Sequence, residues 1–337
     1  VHPDTLPTVL ERWSLRATVG EHLAAWEAPR FSLVEDTLFV HDHAAAHVLA
    51  VDVPTGRVRW FTTLGEGQPS SVEFTPFFVD QRLFVGAPGR LFYVHARSGD
   101  VRWAVPVRGE PRGVAVRIAD MLFFATEGGQ TKKDPAARGN AAGAGVSVYA
   151  LAMRAGRMVW RQPLAGAGPR LAADERRLYV SLAGGDLMAL GPEEGEPLWR
   201  QTIAGRATWP LAAAERVFVA VSGGAPRVLA LDGESGKAVW ETELPASPLL
   251  AQIAGDRIIV ALDDGSLLAV TIADGKVAWR AVVPVDGKVA RAALFAEKNR
   301  VHAHLAVPSE RARLVQIDLT SGALTSAING LPEAAVS

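Results

Sequence analysis

Short apolar runs bounded by Gly, Pro, Asp, Ser or Thr recur along the whole chain, and their internal alternation has the period of a strand, not of a helix. One set, at residues 38–40, 83–85, 122–124, 178–180, 217–219 and 258–260, reads Leu-Phe-Val or a close variant. A second set, as at residues 48–52, 228–232 and 267–270, runs into a tight turn. In that turn a glycine stands four residues before a tryptophan six times over: Gly56 and Trp60, Gly99 and Trp103, Gly156 and Trp160, Gly195 and Trp199, Gly236 and Trp240, Gly275 and Trp279. Pro-containing segments precede the first set, so each unit reads as four short strands with the Trp on the last. A period near 40 residues with four strands per unit predicts an all-β propeller of four-stranded blades.

A seventh unit has strands at residues 301–304 and 314–318 and the turn at 320–322, but Ser326 stands where its tryptophan would be. Near the N-terminus, Trp13 lies in a strand-like run with no partner strands before it. Ring closure accounts for both: residues 1–20, carrying Trp13, complete the last blade, giving seven blades in one domain over 1–337 with a C-terminal tail at 330–337. A competing count makes residues 323–328 the last blade's own outer strand; eight blades would need more chain.

The turn glycines supply positive φ at little steric cost, and Thr55, Ser98, Ser235 and Ser321 beside them can hydrogen-bond the turn. The tryptophans are expected to dock between neighbouring blades as staples rather than to stack on a ligand.

Composition narrows the function classes. With 35 basic and 36 acidic residues mixed along the chain, there is no electrostatic footprint for nucleic acid or an anionic membrane. The absence of cysteine excludes disulfides, thiolate metal sites and cysteine nucleophiles. No apolar run is long enough to span a membrane. The sequence begins at Val1 and is read as a mature or trimmed product that has lost an N-terminal targeting segment.

The pattern Ala-x-Asp-x-x-(Thr/Ser)-Gly-x-x-x-Trp, from Ala50 to Trp60 and from Ala230 to Trp240, resembles the tryptophan-docking repeat of quinoprotein-type (PQQ-type) propellers. Its Asp is kept at Asp52, Asp232 and Asp318 and replaced by His95, Ala152, Gly191 and Thr271 elsewhere. Within that group the chain resembles the BamB family of the outer-membrane β-barrel assembly machinery, in size and in the Pro-Thr and Trp13 segment before the first full blade. The resemblance implies a non-catalytic protein-interaction scaffold of the cell envelope, periplasmic or outer-membrane-associated. Its implied partner is the barrel-assembly core protein, and it implies a lipid anchor lost with the leader and no cofactor. Two alternatives stand beside it: a quinoprotein-type ligand- or metal-binding sensor or oxidoreductase with a site in the central channel, and a structural subunit of another large complex.

Other features bear on chemistry. His41, His43 and His47 cluster near one turn, and His302 and His304 share a strand. Imidazoles two apart on a strand face one way and suit a transition metal, with His41, His43, His302 and His304 as candidates. The reading adopted is histidines without a ligand. Residues 128–145, a Gly- and Ala-rich insertion in blade 3, read as an exposed loop suited to partner contact. Trp26 and Trp209 fall outside the docking frame and read as core or as interaction anchors. No hydrolase, zinc-protease or calcium-loop motif occurs.

Overall fold

A computed structural model describes residues 30–42, 46–65, 73–128, 145–297, 299–308 and 312–331. Every regular element among them is a strand. The strands form seven antiparallel meanders, each a leading, second, third and outer strand: sheet one spans residues 30–63, sheet two 77–106, sheet three 110–164, sheet four 170–202, sheet five 206–243, sheet six 248–282 and sheet seven 291–331. This is the blade of a β-propeller, as the repeat predicted.

The chain divides into two compact units, residues 1–114 and 115–337. The first holds sheets one and two. It also has a short strand, Glu73–Phe74, that pairs in parallel with Arg112 and Gly113, an addition the repeat did not announce. Its core lies between its two sheets, where Val48, Ala50, Leu83, Val85 and Val94 are closed from water. In the second unit a separate apolar cluster fills each gap between consecutive sheets from three to seven. The second and third strands are buried on both faces and so read as continuous apolar runs, whereas the outer strands alternate between exposed and half-buried residues, as over Arg57–Thr63.

The seventh sheet takes all four strands from the C-terminal end: Leu324–Leu331 pairs with Ala312–Asp318 as the outer strand. The outer position expected for the N-terminal strand is therefore filled by the chain's own C-terminal strand, the competing count, because residues 324–331 continue the antiparallel register after the turn at Gly322. That strand also runs two residues into the segment expected as tail. The closing strand expected at 1–20, Trp13, Trp26 and the tail beyond Leu331 lie outside the described residues. The insertion of sheet three joins its second and third strands, Met121–Glu127 and Val146–Ala152, where Gly128 N–H donates to Gly145 O at 3.0 Å; residues 129–144 lie outside the described residues.

Candidate functional site

The repeat residues build a joint between sheets. Trp60 lies opposite Ala50 in its own sheet, and the same Trp–Ala pairing recurs at Trp160, Trp199, Trp240 and Trp279, each preceded in the outer strand by a β-bulge. Alanine leaves room for the indole, and the bulge turns it out of the sheet. In sheet two Tyr93 takes the alanine's place and meets Trp103 edge-on, with ring centroids 5.7 Å apart. Each of the other five indoles donates to a carbonyl on the next sheet, three residues before that sheet's turn glycine: Trp60 to Ala96 O (2.8 Å), Trp160 to Pro192 O (2.9 Å), Trp199 to Gly233 O (2.8 Å), Trp240 to Ile272 O (3.1 Å) and Trp279 to Leu319 O (2.8 Å). The glycine is thus required twice. Gly236 has φ +68, and a Cβ there would lie 2.6 Å from the Trp199 ring; Gly275 repeats this against Trp240. The sequence signalled the first reason and not the second.

Four carboxylates with lowered pKa serve the same turns, while a fifth, Asp186, is held down by Arg200 across neighbouring strands. The Thr55 hydroxyl, then Arg59, holds Asp52 below the ordinary carboxylate value. The Ser235 hydroxyl does so for Asp232, and the Ser321 backbone N–H for Asp318. In sheet six, where Thr271 replaces the repeat's Asp, Asp274 takes over the role and is drawn to about 2 by Lys276 and Thr271. These four groups tie turns.

The candidate histidines are divided between the two units. His41 and His304 are each the fifth residue of a second strand, His41 in the first unit and His304 in the second, and both are buried (0 % and 6 % exposed). His302 is half-buried beside the exposed Phe295 ring. His43 lies outside the described residues. Among the described residues no group of three or more His, Asp or Glu is placed to hold a metal ion.

A cavity of about 710 Å³ opens in the second unit where the leading strands of sheets four to six begin. Arg170, first residue of Arg170–Ala173, pairs in register with Ser181, and Arg206, first residue of Arg206–Ala207, with Ser222. The leading strand of sheet five is then interrupted, resuming at Leu211–Ala213, because Pro210 has no N–H for the ladder. Thr208 bridges the gap: its N–H donates to Ala220 O (2.7 Å) and its hydroxyl accepts from Ala220 N–H (3.1 Å). The break turns Trp209 into the cavity, where the Arg170 guanidinium lies over it, 5.3 Å from the ring centroid, while donating to Ala207 O at 3.1 Å. Burial, and then the nearby charge of Arg206, lowers the Arg170 pKa.

The described lining has no carboxylate, imidazole, lysine or phenol. It offers two guanidiniums, four hydroxyls and an apolar wall from Pro248, Leu249 and Leu250. Such a set binds and orients; it has no group to move a proton near neutral pH. The carboxylates at its rim are already engaged: Glu127 accepts from Gly168 N–H (3.0 Å), and Asp263 accepts from Lys288 (2.8 Å) and Ser247 N–H (3.2 Å). Trp209 was visible in the sequence as a tryptophan off the repeat. Arg170 and Arg206 gave no signal, being two among many arginines that precede apolar runs.

Known proteins place this architecture. BamB from Moraxella catarrhalis aligns over 89% of this chain and 87% of its own, with a TM-score of 0.63 and 17% identity. Apo AztD from Citrobacter koseri aligns over 90% and 87%, with a TM-score of 0.62 and 14% identity. A quinohemoprotein alcohol dehydrogenase from Pseudomonas putida aligns over 86% of this chain and 62% of its own, with a TM-score of 0.57 and 12% identity. At these identities the likeness is one of fold, the β-propeller. No curated protein matches the sequence. The description of the family of outer membrane protein assembly factor BamB fits residues 10–132 and 144–330, and the chain belongs to that family.

Proposed function

We propose that this chain is a non-catalytic protein-interaction scaffold of the bacterial cell envelope and acts in the assembly of outer-membrane β-barrel proteins, held at the periplasmic side of the outer membrane. The observation that carries the reading is the family match, which spans all seven sheets. Two features support it. The carboxylates with lowered pKa tie turns or, at Asp186, neighbouring strands, as structural groups do, and the cavity in the second unit carries binding groups without acid–base partners. Among the described residues no helix is long and apolar enough to cross a membrane, which fits attachment through partners or an anchor.

The test is affinity capture of the tagged protein from gently solubilised envelopes of its source organism, with mass spectrometry of what is retained. Recovery of the barrel-assembly core protein in stoichiometric amount is the expected result. A different partner set, or a bound cofactor with no partner, would overturn the assembly role.

A further inference from the structure

We infer that the cavity at the start of the leading strands of sheets four to six is a receptor for an acidic peptide segment, its carboxylates held by Arg170 and Arg206 and its apolar side chains laid against Trp209 and Leu249. The inference rests on the scaffold reading and deepens it by assigning a face of the protein and a partner chemistry.

Charge is the first argument. Neither Arg170 nor Arg206 forms an ion pair among the described residues, although arginines elsewhere in the same unit do, Arg200 with Asp186 at 2.6 Å and Arg280 with Asp264 at 3.2 Å. Two guanidiniums that face one cavity without a carboxylate leave a local positive field, and Arg170 is partly removed from the water that would screen it. The rim carboxylates cannot neutralise it cheaply, since Glu127 and Asp263 already hold N–H or ammonium donors. An anionic group from outside does.

Geometry is the second. The planar guanidinium fork matches a carboxylate in a bidentate fashion, and Arg170 is fixed in place by the indole beneath it and by the Ala207 carbonyl, so little side-chain entropy remains to be lost on binding. Arg206 stands exposed at the mouth, free to close on a second carboxylate. The hydroxyls of Ser181 and Thr208 are buried and lie along the wall.

Size and polarity are the third. A volume of about 710 Å³ holds several side chains, more than one small inorganic anion fills. The wall mixes apolar and polar groups, which suits a segment alternating acidic and aliphatic residues. Gly168 and Gly223 at the mouth have no side chain to obstruct a passing backbone.

The experiment is isothermal titration of the whole chain at low ionic strength. The probe is a capped tetrapeptide of two glutamates and two leucines; its glutamine counterpart, citrate and inorganic phosphate are the comparisons. Saturable binding of the acidic peptide alone is expected, weakening with added salt and falling about tenfold or more in Arg206→Gln, as the loss of one charge-assisted pair requires. Arg170→Gln should do the same, and Arg206→Gln serves where that variant folds poorly. Absence of binding, equal binding of the glutamine peptide, tighter binding of citrate or phosphate, or insensitivity to Arg206→Gln would overturn the inference. A chain that captures its envelope partner but not the peptide loses this inference alone. One that binds the peptide but captures no barrel-assembly component loses the assembly role and keeps the receptor.

Discussion

The two ends of the sheets in residues 115–337 are built on different rules. At the end where the third and outer strands meet, sheets four, five, six and seven each present a glycine, Gly195, Gly236, Gly275 and Gly322, to the indole of the sheet before. At the opposite end, where the leading strands begin, successive sheets present Arg170, then Arg206 with Trp209, then Pro248 and Leu249. The first end repeats because every gap between sheets poses the same packing problem. The second varies because no packing rule constrains it, and variation within a constant frame is how one architecture acquires a site of its own.

The sharpest way to break the comparison is to remove a staple. Trp279 is the most buried of the docked tryptophans, and Trp279→Ala should cost about 3–5 kcal/mol in urea unfolding, chiefly through the cavity left, since the Leu319 carbonyl loses the indole N–H but keeps the Arg257 guanidinium. Acidic-peptide binding by the fraction still folded should be unchanged. A loss below about 1 kcal/mol would mean that the joint is not held by its indole.

The same substitution made at both ends sharpens the contrast. In Gly236→Ala the methyl meets the Trp199 ring in a left-handed turn, so backbone strain of about 1–2 kcal/mol adds to an overpacking cost of about 1–3 kcal/mol. Gly223→Ala, at the cavity mouth with φ +86 and nothing within 4 Å, should cost the strain alone. Equal losses in thermal or urea melts would remove the claim that the repeat glycine is selected by the neighbouring indole.

This asymmetry governs what could be read from the sequence. Gly56, Trp60 and their five counterparts were legible because a side chain required at every joint recurs at a fixed spacing, and the apolar second strands were legible because both faces are buried. The outer strand of sheet seven was harder: the turn at 320–322 offered it as the competing count, but with Ser326 in place of the indole it lacked the mark of the Trp-bearing strands. Of the cavity, only Trp209 stood out, by being off the frame. Arg170 and Arg206 are separated by a whole blade in sequence and become neighbours only when two leading strands are laid side by side.

Acid should weaken the turn end at four sites, and the opposite end at one, where the Arg200 side chain and then Thr202 hold Asp186 below the ordinary carboxylate value. Asp52, Asp232, Asp274 and Asp318 have folded-state pKa values below the ordinary 3.8, Asp274 at about 2. Their contribution is therefore present above about pH 4 and is lost as pH falls through the folded values toward 2. All four are at the surface, where water screens the pairs, so the effect is small per site. Comparing urea midpoints at pH 6 and pH 3, Asp274→Asn should lose less on acidification than the parent chain. An identical drop would place the acid sensitivity elsewhere.

The smallest expected effect on stability is at the cavity. Arg206→Gln removes a charge that has no counter-ion among the described residues and leaves the Ser222 contact intact, since that hydroxyl donates to the Arg206 backbone carbonyl at 3.3 Å. Its unfolding free energy should stay within about 0.5 kcal/mol of the parent. It should even rise slightly, because Arg170 is relieved of a like charge. That outcome would assign Arg206, exposed and set near the like charge of Arg170, to the cavity and not to the frame. A clear destabilisation in Arg206→Gln would instead make Arg206 part of the frame, and the two ends of the sheets would then obey one rule.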